Sequence, residues 1–362
     1  MIFKEIPVGE LDSFVNSAEF SSYNILPITK HRAYSQSINP RADKNDVVLI
    51  IAYENKNEII GYVGALPDYL NGNKSQKVVW SSGWWVDKQK GKSVAIPLFL
   101  KMLEKWDKKM LFAHLTPTTK QILERLNIVN SKTVWGLRCF LRFRFNDILI
   151  QKFPSLKYLK LLLVFMDFVG NQLIKIRINC WKMRLKNLPF KIESINKLDD
   201  ELNTFINDVG KKNIVNRDKD VLNWILKHKW ILPKENDKEH EEKRYYFSSY
   251  SNTFKNLVYK ISDNEKTIGL IFFTIRNRSL KIPYIYYNDD YLKDIINVIY
   301  KICLKFNVYD LIIYQQKIVE LIKNKPSPFY LLKNTPRYIA ATKELNIKEF
   351  NYQDGDGDVV FT

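Results

Sequence analysis

Cysteine is nearly absent: Cys139, Cys180 and Cys303 are the only three in 362 residues. An odd number so widely spaced excludes a disulfide framework, and no two lie close enough for a zinc site. They read as small buried residues in a reducing compartment. Arginine is also scarce, supplying 13 of the 57 basic residues. Proteins that read base sequence lean on the rigid arginine fork. The formal charge of +18 is therefore a lysine-rich surface offering non-specific attraction, and nucleic acid is not the expected substrate. Long apolar runs are missing as well, since no uncharged stretch approaches the roughly 20 residues of a membrane span. The opening Met1-Ile2-Phe3-Lys4-Glu5 is strand-like and lacks the basic-then-apolar pattern of a signal. A soluble, cytoplasmic protein is expected. Of the four histidines, His31, His228 and His240 have no recognisable partners in the sequence.

What is present is a foldable chain, 46% hydrophobic and 14% aromatic, long enough for two domains. Residues 46–54 and 58–65 read as paired strands joined by the polar turn Asn55-Lys56-Asn57. A third strand over 78–86, a helix over 93–108, a short strand over 110–114, a helix over 118–127 and a long strand over 134–145 follow. A similar order returns after residue 188. "SDNEKTIGLIFFTIR" echoes "YENKNEIIGYVGALP", with Gly269 standing where Gly61 stands, and a helix again leads into a short strand. The order points to a duplicated α+β domain. Between the copies, residues 151–187 carry eight basic residues against the single acid Asp167. Lys160, Asp167, Asn171, Lys175, Asn179 and Lys182 form one polar stripe on a long amphipathic helix. Such a helix either packs its apolar faces on both domains or lies on an anionic membrane surface. The first is the expectation.

The sharpest local signal is "WWVDKQKGKSVAIPLFL", where a strand enters a basic glycine turn and then an amphipathic helix. A helix N-terminus offers unpaired N–H groups and the positive end of its dipole, so Lys90-Gly91-Lys92-Ser93-Val94-Ala95 reads as a phosphate cradle. With the hairpin before it and the strand and helix after it, this stretch resembles the GNAT family of N-acetyltransferases over roughly residues 45–130. The resemblance implies an α+β fold of two tandem GNAT-like domains, each a mixed, mostly antiparallel sheet flanked by helices. Residues 1–150 would form the first, 151–187 the helical connector and 188–362 the second. It also implies an acyl-CoA cosubstrate, acetyl-CoA or another, whose pyrophosphate would be held by Val86 and Lys90 through Ala95. Ala95 conforms to the family's turn, while Lys90 and Ser93 replace Arg or Gln and Gly. Where many members place a tyrosine as general acid, this chain has Leu123. The second half has Asn288-Asp289-Asp290 where a cradle would fall, and two acids repel a pyrophosphate. The layout resembles tandem GNAT-like proteins of Bacteroidetes-type bacteria.

An N-acyltransferase needs a base near the amine. Asp87, closing its strand beside the cradle, and His114, ending the next strand, are the candidates; Asp68 beside Pro67 reads as a surface turn. Trp84 and Trp85 point to opposite faces of their strand, one to the core and one toward a pocket. Arg32, Tyr34 and Arg41 fall in the segment where the resemblance puts acceptor binding. Asp354-Gly355-Asp356-Gly357-Asp358 is too short for an EF-hand and reads as a polar hairpin into a last strand, "VVFT"; no metal site is expected. The activity implied is acyl transfer to a polar amine, such as an amino sugar or cell-envelope precursor. Two rivals stand beside it: a Fem-like transferase using aminoacyl-tRNA, and a non-catalytic GNAT-fold protein that binds a ligand or partner.

Overall fold

The structure is a computed structural model and describes residues 2–55, 58–70, 76–234, 244–347, 349 and 351–361. The chain forms two compact units. The first joins Met1–Val134, Asn196–Phe254 and Arg337–Thr362; the second joins Trp135–Ile195 and Lys255–Pro336.

In the first unit β1 (Ile2–Pro7), β2 (Val47–Tyr53), β3 (Ile59–Tyr69), β4 (Lys77–Val86) and β5 (Met110–Leu115) lie in sequence order across a sheet. All neighbours are antiparallel except β4 and β5. β2 reads VVLIIAY and is buried almost throughout, as a strand covered on both faces must be. Its Ile50 and Ala52 face the core under α4 (Ala95–Lys105), whose Leu98, Phe99, Met102 and Leu103 line one stripe. Leu49, Ile51 and Tyr53 face the opposite core, built with α1 (Leu11–Val15), α2 (Ala18–Ser22) and α3 (Lys30–Ser37). α5 (Pro117–Arg125) follows β5 and leads into β6 (Val129–Phe140). β6 starts five residues before its expected position, because polar residues of Asn130–Thr133 take its exposed side.

In the second unit α6 (Phe145–Lys152), a 3-10 turn (Pro154–Leu159) and α7 (Lys160–Arg184) precede β7 (Lys191–Ile195). Unit 1 then takes up the chain with α8 (Asp200–Val209), α9 (Lys219–Lys227) and the short parallel pair β8 (Leu232–Pro233) and β9 (Tyr250–Ser251). The second unit continues with the hairpin of β10 (Phe254–Asp263) and β11 (Lys266–Arg276). It turns through Asn264 and Glu265, both at positive φ, as a tight two-residue hairpin requires. β12 (Ser279–Lys281), β13 (Ile285–Tyr287), α10 (Leu292–Lys305), β14 (Asp310–Ile313), α11 (Gln316–Asn324) and β15 (Leu331–Thr342) follow. From β10 the order is hairpin, two short strands, helix, strand, helix, strand, close to the hairpin, strand, helix, strand, helix, strand that begins at β2. The expected glycine pair holds comparable ground: a Cβ at Gly61 would meet Leu98 of α4, and one at Gly269 would meet Ile295 of α10.

The observed division differs from boundaries at 150 and 188. Residues 196–254 are tied into unit 1, with Trp224 Nε1 donating to the Ser35 carbonyl at 3.0 Å and Trp230 Nε1 to Ser35 Oγ at 2.9 Å. The last part of β15 pairs antiparallel with β5, Tyr338 opposite Leu115 and Ala341 opposite Leu111, and so completes the first sheet. The end of the chain is a correction. Asp354–Asp358 forms successive turns and Val359–Phe361 a 3-10 helix, not a strand. Phe361 stacks on Trp230 at 4.2 Å and meets Trp224 edge-on, and that aromatic burial fixes the segment.

A long helix stands where the connector was expected, but it lies within unit 2; Lys160, Lys175, Asn179 and Lys182 of its polar stripe are exposed as expected, while Asp167 and Asn171 are half-buried. Asp167 accepts from the N–H groups of Phe145 and Asn146 at 2.6 and 3.0 Å, capping α6. Asn171 brackets Phe143, accepting from its N–H and donating to its carbonyl. Two members of the polar stripe therefore point inward, and large apolar side chains of α7 are exposed. Cys180 on the same helix is exposed, whereas Cys139 and Cys303 are buried as expected. Among the described residues no helix is long and apolar enough to cross a membrane.

Candidate functional site

β4 and β5 run parallel yet pair only at Val79–Met110 and Trp80–Leu111. β4 continues to Val86 and β5 to Leu115, so the sheet opens between their C-terminal ends. The cause lies on the other edge of β4. Between the pairs Val63–Trp84 and Ala65–Ser81, Gly64 alone faces Ser82 and Gly83, a bulge that bends and twists β4. Only glycine suits both sides of it: Gly83 has φ +84, and a Cβ at Gly64 would sit 2.2 Å from the Ser82 carbonyl oxygen. Trp84 and Trp85 do take opposite faces. Trp84 stacks on Phe99 of α4 at 5.0 Å; Trp85 stacks on Tyr246 at 4.5 Å and packs on Tyr62. The buried Trp84 Nε1 has no hydrogen-bond partner among the described residues.

The basic turn sits where β4 ends. Asp87 accepts from the N–H groups of Gln89 and Lys90 at 2.9 Å each, and these bonds hold its carboxyl below the usual range. It is the brace of the turn. Gly91 donates to the Asp87 carbonyl, and Val94 and Ala95 donate to the Gly91 carbonyl. A Cβ at Gly91 would lie 2.6 Å from backbone atoms of Asp87 and 2.7 Å from the Ile60 carbonyl oxygen. This glycine therefore serves the seating of the turn against β3. Lys90 is held between Glu54 and Glu58 at 2.7 and 2.6 Å, and both carboxylates raise its pKa. Val94, at the N-cap of α4, provides no side-chain cap. Among the described residues the N–H groups of Lys92 and Ser93 find no acceptor, leaving an uncapped N-terminus with an exposed lysine and serine. These residues fit an anionic ligand.

At the root of the opening lies the chain's acidic segment. A Cβ direction from Gly357 reaches Ala113 of β5 at 3.1 Å and Trp80 of β4 at 3.3 Å. Ser82 Oγ donates to Asp358 at 3.0 Å, and burial pushes that carboxyl up against the opposing effects of Arg32 and Ser82. Asp356 is fully buried, and burial pushes its carboxyl up to about 7 although Arg217 opposes the shift. Asp68, read as a surface turn, is instead fully buried: it accepts from Trp80 Nε1 and pairs with Arg217, both at 2.9 Å. Arg337 donates from Nε to the Ala113 carbonyl and pairs with Asp354 at 2.8 Å. The described residues contain no group of side chains able to hold a metal ion.

Other expected residues have different work. Arg32 is buried, donating to Tyr245 Oη at 3.0 Å and to the Ser248 carbonyl, with its guanidinium over the Trp230 ring. Arg41 pairs with Asp218 at 2.8 Å and donates to the Asn216 carbonyl. Both arginines pin unit 1 together. Tyr34 is exposed and meets His228 edge-on at 5.8 Å. His31 contacts the Trp230 carbonyl at 2.9 Å, so two histidines expected to lack partners have them; His240, like the turn residues Lys56 and Asn57, lies outside the described residues. His114 is exposed on β5 near the opening, and Leu123 is a fully buried core residue. In unit 2, Asn288 Oδ1 caps the 3-10 turn before α10 by accepting from the Asp290 N–H, and Asp289 pairs with Lys317. A depression of about 440 Å³ beside it is lined by Asp289, Asp290 and Glu320 with Lys293 and Lys317.

No family model matches the chain, and none of the curated proteins does. Solved structures are similar to it. One is a conserved protein of unknown function from Enterococcus faecalis, described as a probable N-acyltransferase. It is 13% identical, the match covers 95% of this chain and 72% of that one, and the TM-score is 0.53. A GCN5-related N-acetyltransferase from Anabaena variabilis is 12% identical over 94% of this chain and 72% of its own, with a TM-score of 0.47. N-myristoyltransferase of Saccharomyces cerevisiae, solved with bound myristoyl-CoA, is 12% identical over 98% and 83%, again at 0.47. At such identity the likeness to the first is one of fold. The mixed α/β architecture is shared with that probable N-acyltransferase, and here a parallel strand pair opens before a helix N-terminus.

Proposed function

We propose that this protein is an acyl-CoA-dependent N-acyltransferase built from two GNAT-like repeats, of which the first carries the cosubstrate site. The observation that supports it most is the pairing of the β4–β5 opening with the uncapped N-terminus of α4. The free N–H groups of Lys92 and Ser93 and the Lys92 ammonium would hold the pyrophosphate; Lys90, bound to Glu54 and Glu58, would position the turn. The acyl group, acetyl being the first to test, would enter between the strands toward Ser82 and Asp358. Asp358 is a better base than Asp87, because its half-buried carboxyl is raised while that of Asp87 is lowered. It would take a proton from the acceptor ammonium, the free amine would attack the thioester carbonyl carbon, and the C–S bond would break. With Leu123 in the core, the departing thiolate would take, relayed through water, the second proton that the attacking nitrogen loses on becoming the amide. A polar amine, such as an amino sugar or cell-envelope precursor, suits the carboxylate-lined root. The second repeat, whose helix follows an acidic 3-10 turn capped by Asn288, would not bind acyl-CoA.

Ser93→Asp tests this reading. An acid in the first turn of a helix agrees with the dipole, so folding should be unaffected or slightly favoured. The carboxylate would oppose a pyrophosphate, and calorimetry should show acetyl-CoA affinity falling about tenfold or more. Equal affinity in the two proteins would refute the cradle. Leu123 favours a second reading, a protein that binds acyl-CoA without turning it over; binding without thiol release in the presence of amines would select it.

A further inference from the structure

We propose that the outward face of α7, with the 3-10 turn before it, docks this protein on an anionic membrane surface. The inward face of α7 runs through Leu163, Asp167, Gly170, Asn171, Ile174 and Ile178. The opposite face carries Leu161, Phe165, Phe168, Leu173 and Ile176, each between 59% and 86% exposed, and Tyr158 precedes them at 96%. A typical monomer's largest exposed apolar patch is roughly 300–600 Å² and is often an interaction site, and here six large side chains are exposed in one row. Asp167 and Asn171 explain the orientation. Their bonds to Phe143, Phe145 and Asn146 anchor the helix by its polar residues, which leaves the apolar residues outside.

Charge selects the partner. Lys157, Lys160, Lys175, Lys182, Arg184 and Lys186 are exposed along this segment, and its one acid, Asp167, is spent on capping. A second copy of the chain would meet this face through a two-fold axis and set its lysines against their own kind, which is unfavourable. An anionic bilayer accepts both components, burying the rings at the headgroup boundary and attracting the basic side chains. The N-terminal half of the segment is the more apolar and the C-terminal half the more basic. The helix would thus dip its first turns and hold its last turns at the headgroups.

Flotation of the full chain with phosphatidylglycerol–phosphatidylcholine vesicles, and with phosphatidylcholine alone, tests the proposal at physiological salt. The wild type should float with the anionic vesicles only. Lys175→Glu with Lys182→Glu, both exposed and outside the acyl-CoA site, should weaken partitioning about tenfold or more. Leu161→Asn, Phe165→Asn and Phe168→Asn together should abolish it, with a folded circular dichroism spectrum as control. Wild-type protein that stays at the bottom of the gradient would overturn the proposal, as would flotation unchanged by the two charge reversals. A dimer in size-exclusion chromatography that the triple variant dissolves, without vesicle binding, would assign the face to self-association instead.

Discussion

Asp356 shows how far one side chain can be from its ordinary chemistry in this protein. It is fully buried, accepts the Gln353 N–H at 2.8 Å and has Arg217 at 3.7 Å. Because its folded pKa is raised to about 7 from 3.8, the native state binds a proton that the unfolded chain releases between those values. Its contribution to stability is therefore complete below the ordinary carboxylate range and is lost as pH rises through about 7. Urea unfolding between pH 5 and pH 8 should show the wild type losing midpoint more steeply than Asp356→Asn, which keeps the bond to Gln353. The variant should be the more stable at pH 8. Equal slopes would mean that Arg217 holds the carboxylate ionised. Asp68, Arg217 and Asp356 stand apart in sequence, and no local spacing announces that they meet. Nothing in the composition distinguishes Arg217, which joins this cluster, from Arg32 and Arg41, which were expected to bind an acceptor.

The β4 bulge is the element on which the opening depends. Gly64→Ala would drive a methyl into the Ser82 carbonyl and should cost about 1–3 kcal/mol through overpacking. If β4 flattens in response, the gap beyond Trp80 and Leu111 narrows, and acetyl-CoA affinity should fall together with the denaturation midpoint. Unchanged affinity in the destabilised variant would separate the bulge from the site. Most elements around it were legible, because β2, β3 and β4 carry β-branched and aromatic runs and α4 carries a clean apolar stripe. Three features were not. A bulge has no signature beyond its glycines, and Gly61, Gly64 and Gly83 look alike in a sequence. The polar stripe of α7 obeyed helical periodicity, yet periodicity cannot say which face has a hydrogen-bonding partner, and Asp167 and Asn171 had theirs in α6 and Phe143. The run Asp354–Asp358 matched a turn pattern correctly, but its place at the root of β4 and β5 comes from long-range pairing and from Phe361 docking on Trp230.

At the scale of the whole molecule, unit 1 is assembled from three separate stretches of chain. Removing Arg337–Thr362 would strip β5 of its antiparallel neighbour, leave Asp68 and Arg217 without Asp356, and empty the aromatic contact on Trp230. Hydrogen exchange read by mass spectrometry should then show protection lost across β4, β5 and α9. Retained protection there would mean that the first two stretches suffice. The same discontinuity sets a schedule at the ribosome. Residues 1–134 emerge early, but the strand that closes their sheet is made only after roughly 200 further residues, which at about 5–20 residues per second is on the order of 10–40 s. For that interval β5 presents an unpaired edge beside an unfinished core, a state in which strand edges recruit other chains. Nascent copies of this protein on one messenger would be most prone to tangle then, and slowing translation across residues 255–336 should lower the soluble yield.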